Sequence, residues 1–207
     1  MKNISVISIV LFLTCSLSFS KAEEASAKDD TLRVGDEAPV IVLRSLGGKF
    51  VRLNEFCGKK LYHPWKNKTK YNVILSFWAT DCVPCKKEIP ILEKMVQKYQ
   101  KDVKLLLVSI DQKGEEIVAP FIEETGFKST VLLDMHRKTA ERWQAKKVPS
   151  LFMVDKDGVI RYSAAGYTGE AQLVKFEKML RKHLGLPLLK ELEIPADSAE
   201  VKPDSTK

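Results

Sequence analysis

Apolar residues fall along this chain in compact runs separated by stretches of helical spacing, which predicts strands alternating with helices. Residues 71–78 and 103–110 are dense in Val, Ile, Leu and Phe, as strands covered on both faces require. Residues 84–99 place Ile89, Leu92, Met95, Val96 and Tyr99 at helical intervals, and 169–184 repeats the pattern with Leu173, Phe176, Leu180 and Leu184. A helix over 114–125 should end at Gly126, a residue able to take the left-handed C-terminal position. A short strand at 131–133 and a helix at 136–144 follow. Two hairpins are signalled, 40–44 with 49–53 around Gly47-Gly48, and 149–154 with 159–164 around Asp155-Lys156-Asp157-Gly158. Between the first hairpin and the first buried strand, residues 57–70 are polar, irregular and rich in lysine. Strand–helix alternation requires crossovers and a largely parallel sheet, to which the closing hairpin adds an antiparallel pair. The expected product is a three-layer α/β/α sandwich with a mixed central sheet and an N-terminal β-hairpin.

The ends of the chain follow another pattern. Lys2 precedes an apolar stretch at 4–19, and small residues stand at Ser18 and Ser20 or at Ser20 and Ala22, as a cleaved signal peptide over 1–22 would have them. Ser5, Ser8, Ser16 and Ser18 interrupt the stretch, which is also shorter than the roughly 20 apolar residues that span a bilayer. Cleavage is therefore favoured over a membrane tether. Thr14 stands before Cys15 where lipidation would want Gly, Ala or Ser. A polar linker at 23–31, a domain at 32–184 and a flexible tail at 185–207 complete the division. With 207 residues, 44% of them hydrophobic, the chain suits one domain with a real core. Its formal net charge is +7, but lysines and acids interleave and no basic block alternates with aromatics in the manner of an RNA-binding strand. That charge is read as a solvated surface, and a nucleic-acid partner is excluded.

Export changes the reading of the cysteines, because an oxidising compartment permits disulfides. Removing the leader leaves Cys57, Cys82 and Cys85. The last two are too close in sequence for an ordinary stapling bridge and too few for a tetrahedral zinc site, which leaves a redox pair. Their context supports it: the run Phe77-Trp78-Ala79-Thr80-Asp81-Cys82-Val83-Pro84-Cys85 passes from a buried strand into a helix. At a helix start, free N–H groups and the macrodipole stabilise a thiolate on Cys82, and Pro84 suits the first turn. Cys82 should exchange with a partner's sulfur, and Cys85, one turn deeper, should resolve the mixed disulfide. Trp78, beside the pair, is a candidate for shielding the sulfurs. No metal or organic cofactor is implied, the reacting group being a redox-active disulfide Cys82–Cys85.

The stretch FWATDCVPCKKEIP, with Pro90 five residues after the second cysteine, resembles the active site of the thioredoxin superfamily. Lys147-Val148-Pro149-Ser150 is similar to that family's cis-proline loop. The resemblance implies that Pro149 lies against the sulfurs and that the backbone of Val148 bonds an extended substrate, with Val83 and Pro84 also positioning it. A strand–helix insertion around 111–133 and the N-terminal hairpin after Val34-Gly35-Asp36-Glu37-Ala38-Pro39 look like the TlpA/ResA-like branch. That likeness implies an exported oxidoreductase, in the periplasm or on the outer face of the cytoplasmic membrane. It implies protein thiol and disulfide substrates, a membrane electron donor, and work as a reductant, for example in cytochrome c maturation.

Departures from the family pattern leave the general base open. Ser76 stands where thioredoxins place a buried Asp, and Val83 where some ResA-like members carry Glu, so Asp81, Glu88 and Asp134 are the candidates. Segment 59–70 is longer than the family's usual link into this strand. Two other functions compete. A peroxiredoxin-like thiol peroxidase shares the fold, and Thr80 precedes Cys82 by two residues, but the expected upstream proline and a partner arginine are missing. A metal-carrying module would use Cys57 and His63, without the CxxxC spacing or methionine cluster of copper carriers.

Overall fold

In the computed structural model, residues 32–65 and 68–188 are described. The expected signal peptide, the linker and the tail from residue 189 lie outside them. Seven strands form one sheet in the order β2-β1-β5-β4-β3-β6-β7. Strand β3 (Asn72–Trp78) is buried at all of its positions. It pairs in parallel with β4 (Val103–Ser109), which pairs in parallel with β5 (Thr130–Leu133). The remaining ladders are antiparallel: β3 with β6 (Ser150–Val154), β6 with β7 (Ile160–Ala165), and β1 (Val42–Ser45) with both β2 (Phe50–Arg52) and β5. The sheet is therefore mixed, with its parallel part confined to the three strands that crossover helices connect.

Alternation along β3 sorts the two outer layers. Ser76 and Trp78 face α1 (Val83–Lys98) and α2 (Glu115–Thr125), through Glu88 and Phe121. Phe77 faces the other way, where its ring meets those of Trp143 and Phe152. Trp143 caps the short α3 (Lys138–Arg142), and Arg142 reaches across to the Val40 carbonyl. Helix α4 (Glu170–His183) joins α1 on the first face. A buried polar clamp fastens these two helices: the Tyr99 hydroxyl donates to Glu177 at 2.8 Å and accepts from Arg181 at 2.8 Å. The same Arg181 bonds the Pro187 carbonyl, and Leu186 N–H bonds the Arg181 carbonyl, so the chain stays attached just past the helix.

The expected helix at 136–144 is shorter, and the cause is local. Asp134 accepts hydrogen bonds from the N–H groups of Thr139 and Ala140, while Arg137 takes a left-handed conformation with φ 56°. The chain therefore turns before the helix begins, leaving Met135 and His136 in the loop. At the other end Gln144 is left-handed at φ 53° and Trp143 sinks into the core. A 3-10 turn at Leu53–Glu55, not expected from the sequence, follows β2 and is supported by the bond from Arg52 N–H to Glu55. Gly126 ends α2 in the left-handed region, as its position predicts. No helix among the described residues is long and apolar enough to cross a membrane.

Segment 57–70 carries no helix or strand in its described part, yet it is anchored at several points. Tyr62 N–H bonds the Asn54 carbonyl, Tyr71 N–H bonds the Phe56 carbonyl, and Gly58 N–H bonds the Lys156 carbonyl. The last contact brings the segment against the hairpin between β6 and β7. There Gly158, with φ +85°, approaches Gly58 so closely that an added Cβ would lie 2.9 Å from its Cα. Gly158→Ala therefore meets both a strained backbone and a backbone clash. A loss of about 2 kcal/mol is expected, measured as a lower urea midpoint with an unchanged denaturant slope.

Candidate active site

Trp78 ends β3, and the three residues Ala79, Thr80 and Asp81 separate it from Cys82, where α1 is capped. The intervening loop is tied down by one carboxylate. Asp111, just past β4, accepts from Thr80 N–H at 3.1 Å, from the Thr80 hydroxyl at 2.9 Å and from the Ser109 hydroxyl at 2.8 Å. This lashing joins the ends of neighbouring parallel strands and sets where the next residue emerges. That residue, Cys82, is the N-cap of α1, with Pro84 in the first turn. Cys82 and Cys85 form a disulfide with Cα atoms 5.3 Å apart. Cys85 N–H donates to the Cys82 sulfur at 3.2 Å, the helix-start contact that favours charge on this atom. Exposure separates the two residues: Cys82 is 8% exposed and Cys85 0%.

The antiparallel register of β3 with β6 pairs Phe77 with Ser150, so Pro149 stands one residue further, at the sheet end where the Cys82 loop departs. The Val148–Pro149 bond is cis. Pro149 is held by the bond from Gly166 N–H to its carbonyl, and Ser150 bonds back to the Lys147 carbonyl. Val83, between the two cysteines, is exposed at the rim, Pro84 and Val148 are half-buried, and Pro149 is buried. Trp78 is fully buried, its ring packed on Phe121 and Phe127. Its place is in the wall beneath the loop, where a substrate cannot touch it.

The three carboxylates left open by the sequence have different surroundings. Asp81 is exposed, and Asp134 spends its oxygens on α3. Glu88 is 0% exposed, lies on α1 three residues beyond Cys85, and accepts one hydrogen bond, from the Ser76 hydroxyl at 3.1 Å. Residues at that helical spacing are neighbours, with Cβ atoms about 5–6 Å apart. Burial pushes the Glu88 carboxyl up to about 7, the Ser76 bond offsetting only part of the effect. The position where thioredoxins carry a strand carboxylate is thus held by Ser76, and the acid reaches the same interior from the helix. Burial also raises Tyr162 and Tyr167, and the Glu88 charge adds to both.

Cys57 lies elsewhere. It is a buried free thiol, pushed up to about 12 by burial, with the charge of Asp155 adding to the shift. Asp155 follows the far end of β6, five residues and roughly 17 Å of extended strand from Ser150. Cys57 is therefore not within reach of the disulfide. The lashing carboxylate Asp111 is a residue that sequence analysis passed over; its signal was an acid directly after a buried strand, level with the loop it holds.

Comparison with known proteins agrees with this geometry. Thiol-disulfide oxidoreductase ResA of Bacillus cereus is 28% identical over 173 residues, covering 83% of this chain and 92% of the relative. ResA of Bacillus subtilis is 25% identical over 176 residues, covering 84% and 90%. Among solved structures, a Chlorobium tepidum protein assigned as a thiol:disulfide interchange protein DsbE superposes with a TM-score of 0.65 at 26% identity, covering 75% of this chain and 100% of the other. The thioredoxin domain of a Bacteroides vulgatus thiol-disulfide oxidoreductase gives 0.58 at 26% identity, covering 72% and 98%. The model of the AhpC/TSA family matches residues 34–163, and the chain belongs to that family.

Proposed function

We propose that this enzyme, a thiol–disulfide oxidoreductase, works outside the cytoplasm as a reductant of protein disulfides, through Cys82 and Cys85. The observation that carries the reading is a disulfide at a helix N-terminus with a buried carboxyl on the same helix face behind it. In the reduced enzyme the Cys82 thiolate attacks a substrate sulfur, forming a mixed disulfide and releasing one substrate thiolate. Cys85 then gives its proton to the Glu88 carboxylate and attacks the Cys82 sulfur. The second substrate thiolate leaves, and the Cys82–Cys85 disulfide remains. Two electrons pass to the substrate, whose two thiolates then take up protons from Glu88 and from solvent. The backbone of Val148 receives the substrate segment beside Pro149, and Val83 contributes exposed apolar surface.

The direction of electron flow rests on Glu88. Once ionised, as pH rises past about 7, Glu88 puts a buried negative charge behind Cys85 that opposes thiolate character in the dithiol form, and so favours the disulfide. Delivery past the cytoplasmic membrane rests on the leader at 1–22, with 32–184 as the catalytic domain. The donor is a membrane dithiol protein, and cytochrome c maturation is one process with suitable substrates. A peroxidase reading is weaker, because the partner sulfur of Cys82 lies three residues away on the same helix rather than in a separate resolving position.

The reduction potential of the pair should lie nearer about −270 mV than about −120 mV, measured in defined thiol buffers. Cys82→Ser should abolish turnover of a disulfide substrate, and Cys85→Ser should accumulate mixed disulfides; normal turnover in Cys82→Ser protein, or catalytic consumption of peroxide by the wild type, would overturn the reading.

Burial of Glu88 also has a pH signature. The folded protein keeps this proton from pH 4.5 to about 7, a range in which the unfolded chain has already lost it. Folded protein thus binds more protons there, and stability falls as pH rises through that window before levelling off. The full effect is about 3 kcal/mol. Glu88→Gln should remove this slope and stand above the wild type at pH 8 in urea titrations.

A further inference from the structure

The net charge of +7 is not distributed evenly. Between Ala38 and Thr80 there are eight lysines and arginines against a single carboxylate, Glu55, a local excess of +7. The 26 basic and 26 acidic side chains elsewhere cancel. The interleaving that the sequence reading relied on therefore holds everywhere except in this span.

Part of the excess is gathered on one face. The pairs Val42↔Arg52 and Arg44↔Phe50 put these four side chains on the same side of the β1–β2 hairpin. Leu43 and Val51, on the opposite side, pack on the core. The Arg52 guanidinium lies 4.5 Å over the Tyr62 ring, and Tyr62, His63 and Trp65 form an edge-to-face series at 3.9 and 4.9 Å. Trp65 is 72% exposed and Phe50 64%, whereas the other two tryptophans are fully buried. Lys59 and Lys70 are taken up by Glu37 and Asp157, but Lys60 and Lys68 enter no ion pair among the described residues. Exposed rings presented on the same side as Arg44 and Arg52 match the headgroup zone of a bilayer, where aromatics seat at the interface and cations meet phosphates.

We propose that the outer side of the β1–β2 hairpin, together with the Tyr62–Trp65 loop, docks on a bilayer surface of anionic phospholipid. Charge complementarity selects this occupant: an excess of +7 between Ala38 and Thr80 meets the phosphates of an anionic surface. The face also sits apart from the chemistry. Strand β2 is the sheet edge, four strands and roughly 19 Å from β3. Docking there orients the protein while leaving Cys82 uncovered.

Trp65 serves as the probe, being the exposed tryptophan of three. The full chain is mixed with vesicles of phosphatidylcholine alone or with added phosphatidylglycerol, and both binding and acrylamide quenching are followed. The ratio of anionic to neutral binding cancels any contribution of the apolar N-terminal stretch. Trp65 should be shielded only on the anionic vesicles, and 0.5 M salt, on the order of a 4 Å screening length, should reverse it. Arg44→Gln should lower the binding ratio by about fivefold while leaving disulfide-exchange activity in solution unchanged. Equal shielding on both lipids, or none on either, would overturn the proposal. So would shielding by poly-glutamate without shielding by vesicles, which would make the face a dock for acidic proteins.

Discussion

A strand buried on both faces has nowhere to put a polar group except against a partner, and in β3 the Asn72 and Ser76 side chains each have one, while the Trp78 indole nitrogen has none among the described residues. The strand's backbone is satisfied by β4 on one side and β6 on the other. Its side chains reach both helical layers, and Ser76, the polar residue in the middle, is bonded to Glu88. Because β3 is fixed this firmly, the residues that follow it emerge at a defined place, and Asp111 holds their loop from the neighbouring strand. Cys82 owes its position to that chain of constraints, and an N–H of the helix that starts there is turned to its sulfur.

Glu88 runs against the stability of the same core. An ionised carboxylate with one hydrogen bond is poorly compensated, which is why its proton is retained to about pH 7. An apolar residue at this position would pack without that cost. In the proposed mechanism the acid can hold or release a proton beside Cys85 near neutral pH, where an exposed carboxylate would stay ionised. The Tyr99–Glu177–Arg181 clamp at the other end of α1 shows the contrasting case, a buried acid bonded by both the Tyr99 hydroxyl and the Lys98 ammonium, in a purely structural task.

Much of this was legible in the sequence for physical reasons. Residues 71–78 and 103–110 could be read as strands because few other structures accept such runs, and Gly126 marked the end of α2 through its backbone freedom. The cysteine pair and the proline loop were readable because strand–turn–helix context constrains them. What escaped depends on contacts between distant residues. The Ser76–Glu88 bond and the Asp111 lashing join different elements: Glu88 is legible as one of three candidate bases but not as the partner of Ser76, and Asp111 alone resembles ordinary polar filling. Helix 136–144 was overextended because its periodicity gives no hint that Asp134 would cap α3 from outside and force Arg137 left-handed.

The basic excess around the first hairpin admits a plainer explanation, that cations guard β2 as an exposed sheet edge against pairing with other chains. Edge protection accounts for lysines beside a strand, and Lys49 beside β2 fits it. It gives no reason to expose Trp65 and Phe50, since bare aromatic surface at an edge invites the association that charges are meant to prevent. Nor does it require Arg52 to be stacked on Tyr62, which holds the guanidinium and the rings on one side of the hairpin. Rings and cations presented together on the face, rather than cations alone along the edge, are what a surface needs to enter an interface while meeting its charges. That arrangement favours docking over protection as the role of this region.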